Sequence, residues 1–233
     1  MMKVQVPMWS TAGDAELQFY REMGVEYISV MFHENDWDYE SVSRLQERMA
    51  KFDLKITDAG SFSVFKNPII HLGLDGRDEQ IDRYNRFTTV MGQCKIPICS
   101  LAWQPDGAVR SYKRVGQYTR GSVSGIVDMT EIEKRELSHG RIYSEEEIWD
   151  NFKYFLDRTL PVCEKAGVKM ALHPNDPPTA CVMGVSSLIY NSEGFKRAFE
   201  LAGNSPYLGM KLCVGCWCSL SAGTTSGSSR EIG

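Results

Sequence analysis

The sequence predicts an α/β chain of the parallel (β/α)8-barrel type in which about six βα units are present. Three observations predict it. Short β-branched and aromatic runs alternate with helical patterns through the first 213 residues. A junction of helix, glycine and apolar strand recurs, as at Met23, Gly24, Val25 and at Ala166, Gly167, Val168. Strand ends change abruptly from apolar residues to turn-forming and ligand-bearing ones, most sharply in KMALHPNDPP at 169–178. A parallel barrel delivers ligands to its catalytic face in that way.

The elements follow in order. Residues 3–7 form a short first strand, interrupted by Pro7. Residues 11–23 space Leu17, Tyr20 and Met23 as a helix does, and Gly24 stops it. The run VEYISVMF at 25–32 is a buried strand, followed by His33, Glu34, Asn35 and Asp36. Residues 41–52 set Val42, Leu45, Met49 and Phe52 on one helical face, and 54–59 form a third strand ending near Asp58. A loop leads to a helix at about 78–91, with Ile81, Tyr84, Thr88 and Met91 on one face and Gly92 as its stop. IPICSLAW at 96–103 is the fourth strand. Residues 145–166 form a helix with Ile148, Phe152, Phe155, Leu156 and Cys163 inward. Ser144 and Glu147 suit a capping box, and Pro161 is expected to kink or split the helix. The strand 168–173, a helix 192–202 capped by Ser192, and the strand 208–213 complete the series. Parallel pairing through right-handed crossovers follows from the alternation.

Two segments break this grammar. Residues 104–141 are too long for a bland connection, carry Arg110, Arg114 and Arg120 with a short helical piece near 130–137, and follow a strand end. They read as a lid or substrate loop over the catalytic face. The segment 218–233 is rich in Ser, Gly and Thr and reads as a flexible tail, leaving 1–217 as a partial barrel.

Composition narrows the function classes. A formal net charge of -4 argues against a general nucleic-acid binder. No apolar run approaches the roughly 18 residues of a membrane span, and no secretory signal is visible at the start. Seven cysteines, an odd number with several in apolar runs, suit reduced thiols in the cytoplasm. The expected partner is a small molecule, with no nucleic acid and no membrane, and the composition is compatible with a homo-oligomer.

His173 ends an apolar strand, and a neutral imidazole there is a good ligand for a divalent metal. Cys213 occupies the equivalent place one βα unit later, so neighbouring parallel strands carry both to one rim. Cys213, Cys216 and Cys218 form C-x-x-C-x-C, but a structural zinc site needs four ligands and no second pair is present. A redox C-x-x-C normally opens a helix, and the glycine-rich tail offers none. His33, Glu34, Asp36 and Asp58 are expected on the same rim. His71 and His139 read as loop residues. Trp9 and Trp103 can wall a polyol pocket, although core packing is the commoner fate of tryptophan. No glycine-rich phosphate fingerprint or serine-nucleophile elbow is present.

These residues resemble the mannonate dehydratases. The resemblance is carried by GVKMALHPNDPP (167–178), GVSS (184–187), NSEGFKR (191–197) and LGMKLCVGCW (208–217), with LGLDGRD (72–78) and YSEEEIW (143–149) also similar. It covers most of 1–217 and is strongest from 141 onward. It implies an incomplete xylose-isomerase-like TIM barrel. It also implies a hydro-lyase that dehydrates D-mannonate to 2-dehydro-3-deoxy-D-gluconate in hexuronate (glucuronate) catabolism, with Mn²⁺, or Fe²⁺ or another divalent metal. The family's metal histidine falls on His173 and its metal cysteine on Cys213. Candidate substrate contacts are His33, Asn175, Asp176 and Arg120. Asn175 stands where the family usually has Asp, and Cys216 where it often has Thr. The family's remaining ligands and its acid/base residues are expected beyond 217, so no catalytic residue is assigned and a truncated or frame-shifted chain, without full activity, is expected. A sugar isomerase or epimerase on the same barrel, and a non-catalytic fragment or binding remnant, are the alternatives.

Overall fold

The structure, a computed structural model, describes residues 3–34, 36–115 and 120–223. Chain order begins with β1 (Gln5–Trp9), α1 (Asp14–Glu22), β2 (Tyr27–Met31), α2 (Tyr39–Ala50) and β3 (Lys55–Gly60). Two single-turn helices, α3 (Phe62–Phe65) and α4 (Pro68–His71), lead into α5 (Arg77–Gln93) and β4 (Ile98–Ala102). The long segment after β4 carries the hairpin of β5 (Tyr112–Val115) and β6 (Val123–Ile126) and the short α6 (Met129–Ile132). Then come α7 (Glu145–Ala166), β7 (Lys169–His173), a small hairpin of β8 (Cys181–Val182) and β9 (Val185–Ser186), α8 (Ser192–Leu201), β10 (Leu208–Met210) and α9 (Val214–Gly223).

Six strands form one sheet in the order β1-β2-β3-β4-β7-β10, and every neighbouring pair is parallel. Each crossover between successive strands carries helix, as short parallel strands require. The register aligns Ala102 with His173 and Leu172 with Met210, so the ends of β4, β7 and β10 reach one rim together. This is the architecture of an incomplete TIM barrel. Its helical layer is fastened by large aromatic side chains: Trp103 packs on Phe152 and Phe155 at centroid distances of 4.9 and 5.4 Å, and Tyr84 on Phe155 at 5.0 Å. Aromatic pairs at such distances, two of these three edge-on and one tilted, add about 0.5–1.5 kcal/mol beyond their burial.

Several local expectations change. Pro161 does not split α7. It and Asp157 lie on the exposed side of the helix, where water can take the carbonyl that proline leaves without a donor. Meanwhile Phe152, Phe155, Leu156 and Cys163 anchor the buried side. Gly92 is inside α5 rather than after it, and a Cβ there would sit 2.5 Å from the Ala166 carbonyl oxygen, so the residue permits close approach of α5 to the end of α7. Ser144 caps α7 by accepting from the Glu147 amide at 3.3 Å, but the Glu147 carboxylate turns to Arg141 instead of completing a capping box. Asn191, not Ser192, caps α8, accepting from the Gly194 amide at 2.9 Å. α9 extends into the first residues expected as a tail, and 224–233 lie outside the described residues. No helix among the described residues is long and apolar enough to cross a membrane.

Candidate metal centre at the strand ends

His173 is the last residue of β7, and the chain from β10 runs beside it: the Lys211 amide donates to the Leu172 carbonyl at 2.8 Å. Cys213 immediately precedes α9, and Cys216 falls in its first turn. A ring nitrogen of His173 and the Sγ atoms of Cys213 and Cys216 all lie within 4.8 Å of one another. His173 and Cys213 are brought together as expected, although β10 ends at Met210 rather than 213 and Cys213 stands in the turn before α9. Cys216 joins them because a helix opens at 214, where none was expected. Its membership was not legible in C-x-x-C-x-C alone, since the third donor comes from a different strand.

The imidazole is oriented. Nδ1 lies 2.7 Å from the Pro174 carbonyl oxygen, an acceptor, so Nδ1 carries the hydrogen and Nε2 carries the lone pair. Burial, opposed by this hydrogen bond and reinforced by the charges of Lys66 and Lys211, lowers the His173 pKa and keeps the ring neutral. Burial, with the neighbouring Cys213, pushes the Cys216 thiol up to about 12. A coordinated cation reverses that preference, because a ligating thiol is deprotonated outright. One imidazole and two sulfurs form a donor set that suits a borderline-soft divalent ion.

Around this cluster, the rest of the HPNDPP turn is held rather than free. Asn175 is buried. Its Nδ2 donates to the Trp103 carbonyl at 3.1 Å and its Oδ1 accepts from the Ile189 amide at 2.7 Å. Its expected contact with substrate gives way to a structural role, because both ends of the amide are already occupied by backbone. Asp176 receives two guanidinium hydrogen bonds from Arg110, at 2.9 and 2.7 Å. Its backbone is clamped by Gln104, which donates to the Asp176 carbonyl at 2.6 Å and accepts from the Asp176 amide at 3.0 Å. Segment 104–141 thus docks on the HPNDPP turn through Arg110. Arg120, the arginine expected at the substrate, is instead exposed in the connection between β5 and β6 with φ of 50°. No local signal distinguishes Arg110 from Arg114 and Arg120 in the loop, since its partner lies 66 residues away.

His33 is exposed at the end of β2, stacked on Trp9 with centroids 4.8 Å apart and planes 14° apart, with Thr11 Oγ1 3.4 Å from its Nε2. It is a rim residue, as expected, three places from β7 in the sheet order. Trp103 belongs to the core, whereas Trp9 is half-exposed on the rim. His71 is a fully buried helix residue against Trp103, not a loop residue. His139 pairs with Asp106 at 2.9 Å inside the long segment. Lys66 was missed. It sits close enough to feel the charges of Asp176, Cys216 and Arg110, and burial lowers its pKa.

The D-mannonate dehydratase (UxuA) family profile matches residues 122–224. The mannonate dehydratase of Thermotoga maritima is 28% identical over 211 residues, which cover 77% of this chain and 57% of that protein. The crystal structure of mannonate dehydratase from Streptococcus suis serotype 2 superposes with a TM-score of 0.81 at 26% identity, covering 94% of this chain and 66% of that one. A xylose isomerase domain protein from Planctomyces limnophilus shares the fold with a TM-score of 0.54 at 12% identity, covering 91% of this chain and 66% of that one. The chain spans a little over half the length of the curated relative. In sequence and in fold together, this chain is similar to the mannonate dehydratases, and it carries part of a TIM barrel.

Proposed function

We propose that the chain supplies part of a metal-assisted hydro-lyase site that dehydrates D-mannonate to 2-dehydro-3-deoxy-D-gluconate. The observation that carries this reading is the meeting of His173, the last residue of β7, with Cys213, in the turn between β10 and α9, in a chain similar to mannonate dehydratases. The substrate class is a small sugar acid, and the setting is cytoplasmic hexuronate (glucuronate) catabolism. The cofactor is Mn²⁺, or Fe²⁺ or another divalent metal. When bound, such an ion acts as a Lewis acid that stabilises negative charge developing beside the substrate carboxylate.

The chain's own residues would do the following. His173 presents the Nε2 lone pair in a fixed direction because Nδ1 is held by Pro174. Lys66 adds positive charge beside the cluster, which favours an anionic sugar acid at this rim, whereas Arg110 and Lys211 are paired with Asp176 and Asp58. Asp176, gripped by Arg110 and Gln104, keeps the turn after His173 in place.

Incubation with D-mannonate and Mn²⁺, followed by product analysis, tests the reaction. Formation of a 2-keto-3-deoxy acid supports the hydro-lyase reading, and an isomerised or epimerised sugar supports the alternative chemistry of this fold. Unchanged mannonate in the presence of bound metal supports a binding remnant. Calorimetric titration with Mn²⁺ tests the site separately: equal affinity in the wild type and His173→Ala sinks the metal assignment.

A further inference from the structure

Cys216 is the feature of this rim that the proposed function does not use. It is buried, although it follows an exposed pair, Val214 and Gly215, in the first turn of α9. Its side chain packs inward against the site, where the charges of Lys66, Arg110 and Asp176 act on it. Its sulfur, the Cys213 sulfur and a His173 ring nitrogen are mutually within 4.8 Å. Ligands at about 2.3 Å from a tetrahedral ion stand about 3.8 Å apart, so a contraction of no more than about 1 Å brings these three atoms to coordinating distance. The spacing favours this. Cys213 and Cys216 are three residues apart across the start of a helix, where i and i+3 side chains share a face.

We propose that Cys216 is a third protein ligand beside His173 and Cys213, and that the resulting nitrogen and two-sulfur set selects a thiophilic divalent cation, Zn²⁺, over the harder Mn²⁺. This rests on the reading of His173 and Cys213 as metal ligands and extends it. Two thiolates and one imidazole are among the donor sets of catalytic zinc, which keep a further position open for water or substrate. Soft sulfur ligands discriminate among metals that nitrogen and oxygen sites rank by general affinity alone. The second sulfur therefore bears on which ion this rim accepts.

The test uses the full chain and Co²⁺ as a spectroscopic probe, with Zn²⁺ and Mn²⁺ in competition. In the wild type, Co²⁺ should produce a near-ultraviolet sulfur-to-metal charge-transfer band. In Cys216→Ser that band should fall to about half, and the Zn²⁺ over Mn²⁺ preference should drop by about tenfold or more, the lower end expected for altering a ligand environment. Cys218→Ser, the exposed neighbour, should retain both. An unchanged band and unchanged preference in Cys216→Ser overturn the proposal while leaving His173 and Cys213 as ligands. If His173→Ala binds Co²⁺ like the wild type, the underlying site reading fails instead.

Discussion

Lys211 and Asp58 are joined by an ion pair of 2.5 Å although three strand steps, β3 to β4 to β7 to β10, separate them in the sheet. In a flat sheet those steps amount to about 14 Å, farther than the two side chains together extend. The sheet must therefore curl, and the pair spans the inside of the curl. Ser29 and Ser100 donate to the same carboxylate at 2.9 and 3.2 Å, and Lys211 also donates to Ser100 at 2.8 Å. Asp58 is thus a buried interior tie within β3. Lys211→Met leaves a buried carboxylate without its cation and should cost about 2–3 kcal/mol, toward the low end for a broken buried pair because Lys211 is partly exposed. Asp58→Asn combined with Lys211→Met should cost less than Lys211→Met alone. Urea denaturation of the two variants checks the order.

Arg110 and Asp176 fasten the long segment to the turn after His173. Both side chains are about a third exposed, so the pair contributes only about 1 kcal/mol to global stability. Its larger effect should be local. Arg110→Ala should leave the urea midpoint nearly unchanged while accelerating protease cleavage within 104–141, and limited proteolysis with mass mapping would show it. Equal cleavage in both proteins would refute the docking role.

His71 makes stability depend on pH. Burial first, and the Lys66 charge second, push its folded-state pKa down to about 3, against an opposing hydrogen bond that the ring donates to the Phe65 backbone. The unfolded value is near 6.5, so between the two the unfolded chain binds the proton and the folded chain does not. The stability of the neutral ring is fully present above about pH 6.5 and is lost as pH falls toward 3. From this residue, stability at pH 5 should be on the order of 2 kcal/mol below that at pH 7. Denaturant titrations at both pH values should show a smaller difference in His71→Gln.

Gly194 lies in α8 with a Cβ position 2.0 Å from the Leu188 carbonyl oxygen. The obstacle is backbone and cannot rotate away. Gly194→Ala should lose about 2 kcal/mol despite alanine's better helix propensity of about 1 kcal/mol. A thermal scan that finds the variant more stable would contradict the close packing of α8 on the 188–189 backbone.

What the sequence determined by itself was the alternation of strands and helices, the parallel pairing it implies, and the two strand-end regions that carry His173 and Cys213. These are local signals. An apolar run, a glycine stop and a change to polar residues each report on the segment that contains them. The tertiary structure alone decided how the polar residues of the rim are used. Asn175 and Asp176 are adjacent and of similar size and shape, yet one is buried between two backbone groups and the other is paired with Arg110. Cys216 became part of the cluster through a helix start and a histidine from another strand. In each case the deciding partner lies 14 to 72 residues away in the chain. Hydrogen bonding and ligation depend on distances of a few ångströms in space, which hydrophobic periodicity does not encode.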